Sequence, residues 1–600
     1  MGTLMKKLAI SLALILCSGL VMGQGRGGRG GGAAPRPAGA AATPEEGFPV
    51  TDPLVIQKCG TCHTKDDKGN LSRISWTRTT PEGWEEAIKR MVRLNGLTIT
   101  SAEAKTVLKY LSTNHGLAPE EAKPVMYMPE HRIVDEPIPN EAVRTTCMNC
   151  HALGRPFSWH RTRDEWLLLT NLHSALYQQA DSAFRRNGNG GGNGGGNGGA
   201  ANAANGSAPA AAPAPPVLDQ TLDFLAKNYG LHTPEWAAWR TRMRTPKLAG
   251  RWMLSAHILG KGKYYGEMTI APGAAEDEFT TTVKLQPVNG GPAISRTGTS
   301  LVYAGYSWRG RSKGTAMAAN PAPDDLSSEM REAMWISPDQ SWGEGRWFWG
   351  EYQEFGVDVK MQRATTEPLL ITTDRSSLKT GSTAQRVRLI GTSFPAQVTA
   401  DELDFGAGIK VTSVVSHTAS LIVADVDVAA TAVPGRRDVA IGRAVLQGAL
   451  AVYDKVDYIK AVPDTALARL GGDKSDAHPK GYQQLEAVAY SKGEDGKLHT
   501  SDDIELGPVE VNWSIEEFST VFGDDDKEFI GSMSSTGLFT PNLDGPNPQR
   551  KFSRNNYGEV WAVATAKNEK DKDGKPLVGK SYLVVTVPTY IRWDQPEVTK

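Results

Sequence analysis

Four of the five cysteines in this 600-residue chain fall into two copies of one pattern, Cys59-Gly60-Thr61-Cys62-His63 and Cys147-Met148-Asn149-Cys150-His151. No other feature constrains the fold as strongly. Residues three apart on a helical turn share a face, so the two thiols are presented together. The histidine directly after the second thiol presents an imidazole beside them. That set suits thioether attachment to the two vinyl groups of one haem, with His63 and His151 as proximal iron ligands. One copy alone also fits a zinc site or a disulfide hairpin. Two copies with no spare mature cysteine favour two covalently bound haem c groups, one on Cys59 and Cys62 and one on Cys147 and Cys150.

The segments after the two motifs repeat one another. Trp84 is followed seven residues later by Met91, and Trp166 seven residues later by His173. Both stretches read as helix. Further on, Tyr110-Leu111-Ser112-Thr113-Asn114-His115-Gly116-Leu117 parallels Phe224-Leu225-Ala226-Lys227-Asn228-Tyr229-Gly230-Leu231. Each follows an amphipathic helix, and Gly116 and Gly230 read as C-terminal caps. Each unit is therefore a haem-binding helix, a ligand-bearing helix and a closing helix, and it resembles a class I cytochrome c. The expected distal ligands are Met91 to the iron of His63 and His173 to the iron of His151. Met126 and Met128 are rivals to Met91, and His160 is the rival to His173. Thioether ligation favours ferrous iron, so the Met91 haem is expected at the higher potential, taking electrons from the His173 haem.

The N-terminus reads as an export signal over residues 1–23. Lys6 and Lys7 precede an apolar run from Leu8 to Leu16, and small residues stand near Gly23. Cys17 opens a lipoprotein alternative, against which Leu16 stands where a small residue is wanted. Residues 24–50 form a Gly/Ala/Pro/Arg tether expected to be disordered. No later stretch is apolar enough to span a membrane. The net charge of −1 gives no reason to expect nucleic acid. A periplasmic location follows. Length suggests several domains: a dihaem domain over 51–244, with repeats at about 52–122 and 140–236, interrupted by a Gly/Asn-rich insert at 187–216.

From about residue 245 the texture changes to β. Alternating segments such as Phe279-Thr280-Thr281-Thr282-Val283-Lys284-Leu285 predict an antiparallel barrel over 245–380. Trp342, Trp347, Phe348 and Trp349 are expected in its late strands. Residues 385–455 follow the strand spacing of an IPT/TIG-like immunoglobulin sandwich, and 456–600 read as a second sandwich. The acidic runs at Asp524 to Asp526 and at Asp495 with Asp502 and Asp503 lack a complete calcium loop. No catalytic residue is expected on the chain.

An all-α dihaem domain followed by all-β domains, with paired haem motifs and the Trp84…Met91 and Trp166…His173 spacings, resembles the α subunit of quinohaemoprotein amine dehydrogenase. The resemblance implies a heterotrimer with a β-propeller subunit and a small γ subunit. The γ subunit carries cysteine tryptophylquinone, which oxidises primary amines. The α haems then pass electrons to a small periplasmic cytochrome or copper protein. All four mature cysteines are committed to haem, so this chain has none with which to build that quinone. A dihaem peroxidase and an exported haem-bearing binding protein are the alternative readings.

Overall fold

The structure is a computed structural model that describes residues 45–126, 140–148, 151, 153–184, 216–316, 320–472, 478–518 and 524–588. The signal, nearly all of the tether, the Gly/Asn insert up to residue 215, Cys17, Met128 and Cys150 lie outside the described residues. The architecture is a helical N-terminal region followed by β domains, as the sequence predicts.

In the helical region the first repeat holds α1 (Pro53–Cys59), strand β1 (Thr77–Thr79), α2 (Pro81–Asn95), α3 (Ser101–Asn114) and the short α4 (Pro119–Ala122). The second repeat holds α5 (Glu141–Val143) running into a π-turn (Arg144–Met148), α6 (Gly154–Phe157) and β2 (Trp159–Arg161). It continues with α7 (Arg163–Leu176), α8 (Gln178–Phe184), α9 (Val217–Asn228) and α10 (Pro234–Arg242). The helix starts follow from local chemistry. Thr80 and Thr162 cap α2 and α7 by accepting from the backbone N–H of Gly83 and Glu165, and Thr100 forms a capping box with Glu103 at α3.

Gly116 and Gly230 differ from the expected left-handed caps. The C-caps of α3 and α9 are His115 and Tyr229, and neither glycine has a positive φ. Their role is close approach: a Cβ on Gly116 would lie 2.0 Å from the Ser112 carbonyl oxygen, and one on Gly230 2.6 Å from that of Ala226. The left-handed cap belongs to Gly96, after α2, with φ 72°.

The barrel is closed and eight-stranded: β3 (Gly250–Ile258), β4 (Gly262–Pro272), β5 (Glu278–Pro287), β6 (Ile294–Tyr303), β7 (Ser307–Gly314), β8 (Met330–Ile336), β9 (Trp342–Trp349) and β10 (Phe355–Arg363) pair in sequence, and β10 closes on β3. Closure removes every sheet edge. Trp252, Trp308 and Trp347 are fully buried among Met268, Met334 and Met361, so side chains fill the interior. Burial raises the Glu332 carboxyl above its usual range, and the Trp308 indole donates to it at 2.9 Å.

Two four-stranded sheets follow. One orders Leu369–Thr373, Gln385–Thr392, Leu421–Val428 and Ile409–His417, and the other Ser377–Lys379, Ala444–Tyr453, Gly435–Ile441 and Leu403–Asp404. They share a core of Leu370, Val387, Phe405, Ile422, Val439 and Leu450. The last region is built from a three-stranded, a four-stranded and a second three-stranded sheet between Tyr458 and Thr586. Asp524, Asp525 and Asp526 form the one grouping that matches metal-ligand spacing among the described residues. Arg550 and Arg554 reach these carboxylates, Arg550 at 2.7 Å from Asp525, so two guanidiniums offset most of the cluster's charge.

The helical region rests on the barrel. Tyr306 donates to the Leu117 carbonyl at 2.9 Å, Trp335 to that of Pro119 at 2.9 Å, and Trp239 to that of Ala304 at 3.2 Å. Glu82, at the start of α2, is paired with the buried Arg309 of β7.

Candidate haem sites

In the first repeat, Asp52 caps α1 through the Val55 N–H and Pro53 opens it. This sets Cys59 at the helix end. The chain then stays in a helical turn: the Cys62 and His63 N–H groups both donate to the Cys59 carbonyl, at 3.2 and 2.9 Å. Cys59 is half-buried and Cys62 exposed. Burial, helped by the neighbouring Cys62, pushes the Cys59 thiol up to about 11. His63 Nδ1 lies 2.7 Å from the Ser72 carbonyl oxygen. A backbone acceptor at Nδ1 fixes the tautomer and leaves Nε2 as the ligand nitrogen. Met91 is half-buried on α2.

In the second repeat Cys147 is half-buried in the π-turn, and His151 is exposed. Cys150 is outside the described residues. His173 is half-buried on α7, with Nδ1 2.8 Å from the Leu169 carbonyl, the same one-sided anchoring as His63. The rival positions are occupied otherwise. Met126 is buried in the core beneath the second repeat. His160 is buried with Nδ1 3.0 Å from the Gly230 carbonyl.

Both ligand-bearing helices carry large apolar side chains in the open: Val92 and Leu94 on α2, and Leu168, Leu172 and Leu176 on α7, with Tyr177 just beyond. Leu168, Leu172 and Leu176 are spaced by four, and His173 shares a face with Leu169 and Leu176 and with Tyr177 at the helix end. An apolar stripe beside an imidazole is what a haem face needs to cover it.

The repeats meet in a feature that the sequence did not announce. β1 and β2 form a two-stranded antiparallel ribbon in which Arg78 pairs with His160. The spacing that carries Trp84 to Trp166 and Met91 to His173 also carries Arg78 to His160, so equivalent residues face each other across a pseudo-twofold axis. Arg78 is fully buried. It donates to the carbonyls of Leu231 at 2.7 Å and Gly116 at 3.1 Å, and to both oxygens of Glu121 at 2.8 and 2.9 Å. Thr233 donates to Glu121 at 2.5 Å. Burial opposes ionisation of Glu121, yet these donors hold its carboxyl at about 2. Burial drives His160 down to about 4, against the pull of Glu121. His115 is driven to about 3 by burial, with Arg240 and Arg78 adding to the effect, and neither ring nitrogen has a partner. The sequence offers for this knot only the likeness of Trp76-Thr77-Arg78-Thr79 to Trp159-His160-Arg161-Thr162, which runs one residue out of register with the structural equivalence of Arg78 to His160 and so misplaces the pairing.

Comparison with known proteins gives four matches along the chain. Residues 50–189 match the haem-binding region described as quinohemoprotein amine dehydrogenase A, alpha subunit. Residues 245–364, 367–454 and 459–598 match domains II, III and IV of the quinohemoprotein amine dehydrogenase alpha subunit. No curated protein matches the chain. Solved structures give distant likenesses. A redesigned beta barrel is 13% identical, with a TM-score of 0.16, over 20% of this chain and 92% of its own. The amine binding protein of Rhodnius prolixus, in its tryptamine complex, is 7% identical with a TM-score of 0.16, over 20% and 63%. Human Protocadherin-24 EC1-2 is 12% identical with a TM-score of 0.15, over 37% and 98%. At these scores the likenesses carry nothing about function.

Proposed function

The chain belongs to the family of quinohaemoprotein amine dehydrogenase α subunits, and from that premise we propose that it is the electron-transfer subunit of a periplasmic amine dehydrogenase. Two c-type haems, when bound, supply one-electron carriage between a cysteine tryptophylquinone on a partner subunit and an external acceptor. Cys59 and Cys62 hold the first and Cys147 and Cys150 the second. His63 with Met91, and His151 with His173, would hold the two irons.

The observation that carries this reading is the matched preparation of the two sites. His63 and His173 each have Nδ1 on a backbone carbonyl and Nε2 left over, and α2 and α7 each expose apolar side chains on the helix that bears the distal ligand. The haem-binding match over residues 50–189 spans the eight proposed site residues. The filled barrel core argues that the β domains act as a platform for partner subunits rather than as a substrate pocket. No helix among the described residues is long and apolar enough to cross a membrane, and the N-terminal segment has the pattern of an export signal. The partners are a β-propeller subunit and a small quinone-bearing γ subunit, and the acceptor is a small cytochrome or copper protein.

The test is to purify the native complex, oxidise it, add a simple primary amine and follow the haem α-band. Reduction by amine in the complex, but not in the isolated chain, is expected. Failure of every primary amine to reduce haems that dithionite reduces fully would sink the assignment.

A further inference from the structure

Two arginines are buried at the ribbon between the repeats, and their surroundings differ. Arg78, on β1, has carbonyls and a carboxylate for its guanidinium. Arg161, on β2, is 9% exposed. Its guanidinium lies over the ring of Trp159 at 4.2 Å and over that of Trp166 at 5.5 Å. Its Nε has no hydrogen-bond partner, and the guanidinium makes no hydrogen bond or ion pair with any described residue. A guanidinium has five donors and keeps its charge. Aromatic faces recover part of the cost of burying it, but leave the donors unanswered.

More positive charge surrounds it. Arg73 and Arg90 both act on Arg161, and the carboxylate that opposes them is Glu165, whose Oε2 is already 3.0 Å from Arg73 Nε. Arg73 and Arg161 therefore share one carboxylate, and Arg90 adds further positive charge. Both neighbouring arginines come from the first repeat. Arg73 follows Ser72, whose carbonyl holds His63, and Arg90 precedes Met91. Trp84 of the first repeat also meets Trp159, with ring centroids 6.1 Å apart.

We infer that Arg161 is an anion site whose ligand is a propionate carboxylate of the haem carried by the first repeat, so that the second repeat holds the edge of its neighbour's cofactor. The inference rests on the haem reading above. A planar carboxylate matches the guanidinium fork in two parallel hydrogen bonds. A propionate arrives on a covalently tethered group, whereas a free anion would have to be recruited from solution. Reduction adds one negative charge to the haem, and a fixed cation at its edge favours the reduced form.

The test is a redox titration of the intact complex in wild type, Arg161→Gln and Arg161→Lys, with the first haem assigned by its response to Met91→His. Arg161→Gln is expected to shift the reduction equilibrium of the first haem at least tenfold toward the oxidised form, which is 59 mV for a one-electron couple. Arg161→Lys keeps the charge but loses the fork, and is expected to shift it less. Unmoved potentials with both haems in place overturn the inference, as does a shift confined to the second haem. A wild-type potential that follows added phosphate marks a free anion and also overturns it. If Arg161→Gln does not load haem, Arg161→Lys decides: no drop overturns the inference. Absence of two covalent haems in the wild type would instead sink the haem reading and leave Arg161 as a separate question.

Discussion

The carbonyls of His115 and Tyr229 have the same function in the two repeats. The first accepts from the Thr79 N–H at 3.1 Å and the Trp84 indole at 2.9 Å, and the second from the Arg161 N–H at 3.0 Å and the Trp166 indole at 3.4 Å. The backbone frame is thus duplicated down to single hydrogen bonds. The side chains on it are not. His115 sits among Phe48, Trp84 and Tyr110 with both nitrogens unpartnered, whereas Tyr229 stacks on Phe157 at 4.9 Å. Met91 stands where the second repeat has His173, and Arg78 where it has His160. A duplicated frame fixes where functional groups go, and divergence at a few positions on it sets how the two sites differ.

The largest difference should lie in the distal ligands. Under the proposed ligation, Met91→His gives both sites the same ligand pair. The higher haem potential is expected to fall by on the order of a quarter of a volt, within the ~0.8 V that axial ligands command. Spectroelectrochemistry reads this directly, and two potentials left unchanged would remove Met91 as a ligand. The next effect tests the ribbon. Glu121→Gln leaves Arg78 buried without its counter-ion and should cost about 3–5 kcal/mol of unfolding free energy, measured by denaturant titration. A loss below about 1 kcal/mol would mean that the two repeats do not depend on this knot.

Glu121 also carries a pH signature. Its folded value of about 2 lies below its ordinary 4.5, so its contribution is present above pH 4.5 and is lost as pH falls toward 2. Glu121→Gln should flatten that acid limb. The smallest effect at pH 7 separates His115 from Tyr229. A histidine held neutral, at about 3 rather than 6.5, loses stability as pH falls from 6.5 toward 3, because the unfolded chain takes the proton first. The slope is at most about 1.4 kcal/mol per pH unit. His115→Phe should remove that slope and leave stability at pH 7 nearly unchanged. An unaltered pH profile would show that His115 is not the titrating group.

Much of the frame was legible in the sequence because its signals are local. The two motifs, the Trp84 and Trp166 helices, and the alternation through Phe279 to Leu285 each lie within a dozen residues. What escaped depends on partners distant in sequence. β1 and β2 are three residues each, too short for any periodicity, and their pairing joins Arg78 to His160 across the intervening chain. Glu82 reads as an ordinary first-turn acid on α2 until Arg309 is placed against it. Asp524 to Asp526 read as an exposed acidic run, and only the fold brings Arg550 and Arg554 onto them. Arg161 gave no warning, because an arginine beside tryptophans is unremarkable until every acceptor around it has been accounted for.

The ribbon has a consequence for timing. Two redox units joined by a tether exchange electrons only as often as the tether brings them together, and their rate carries the viscosity of the solvent. Two units that share a strand pair, with Arg78 of one hydrogen-bonded to the carbonyls of Gly230 and Leu231 of the other, are tied directly to each other. Transfer across such a junction would proceed at a fixed distance, insensitive to viscosity, and any slow step in turnover would then lie at the outer contacts with partner proteins.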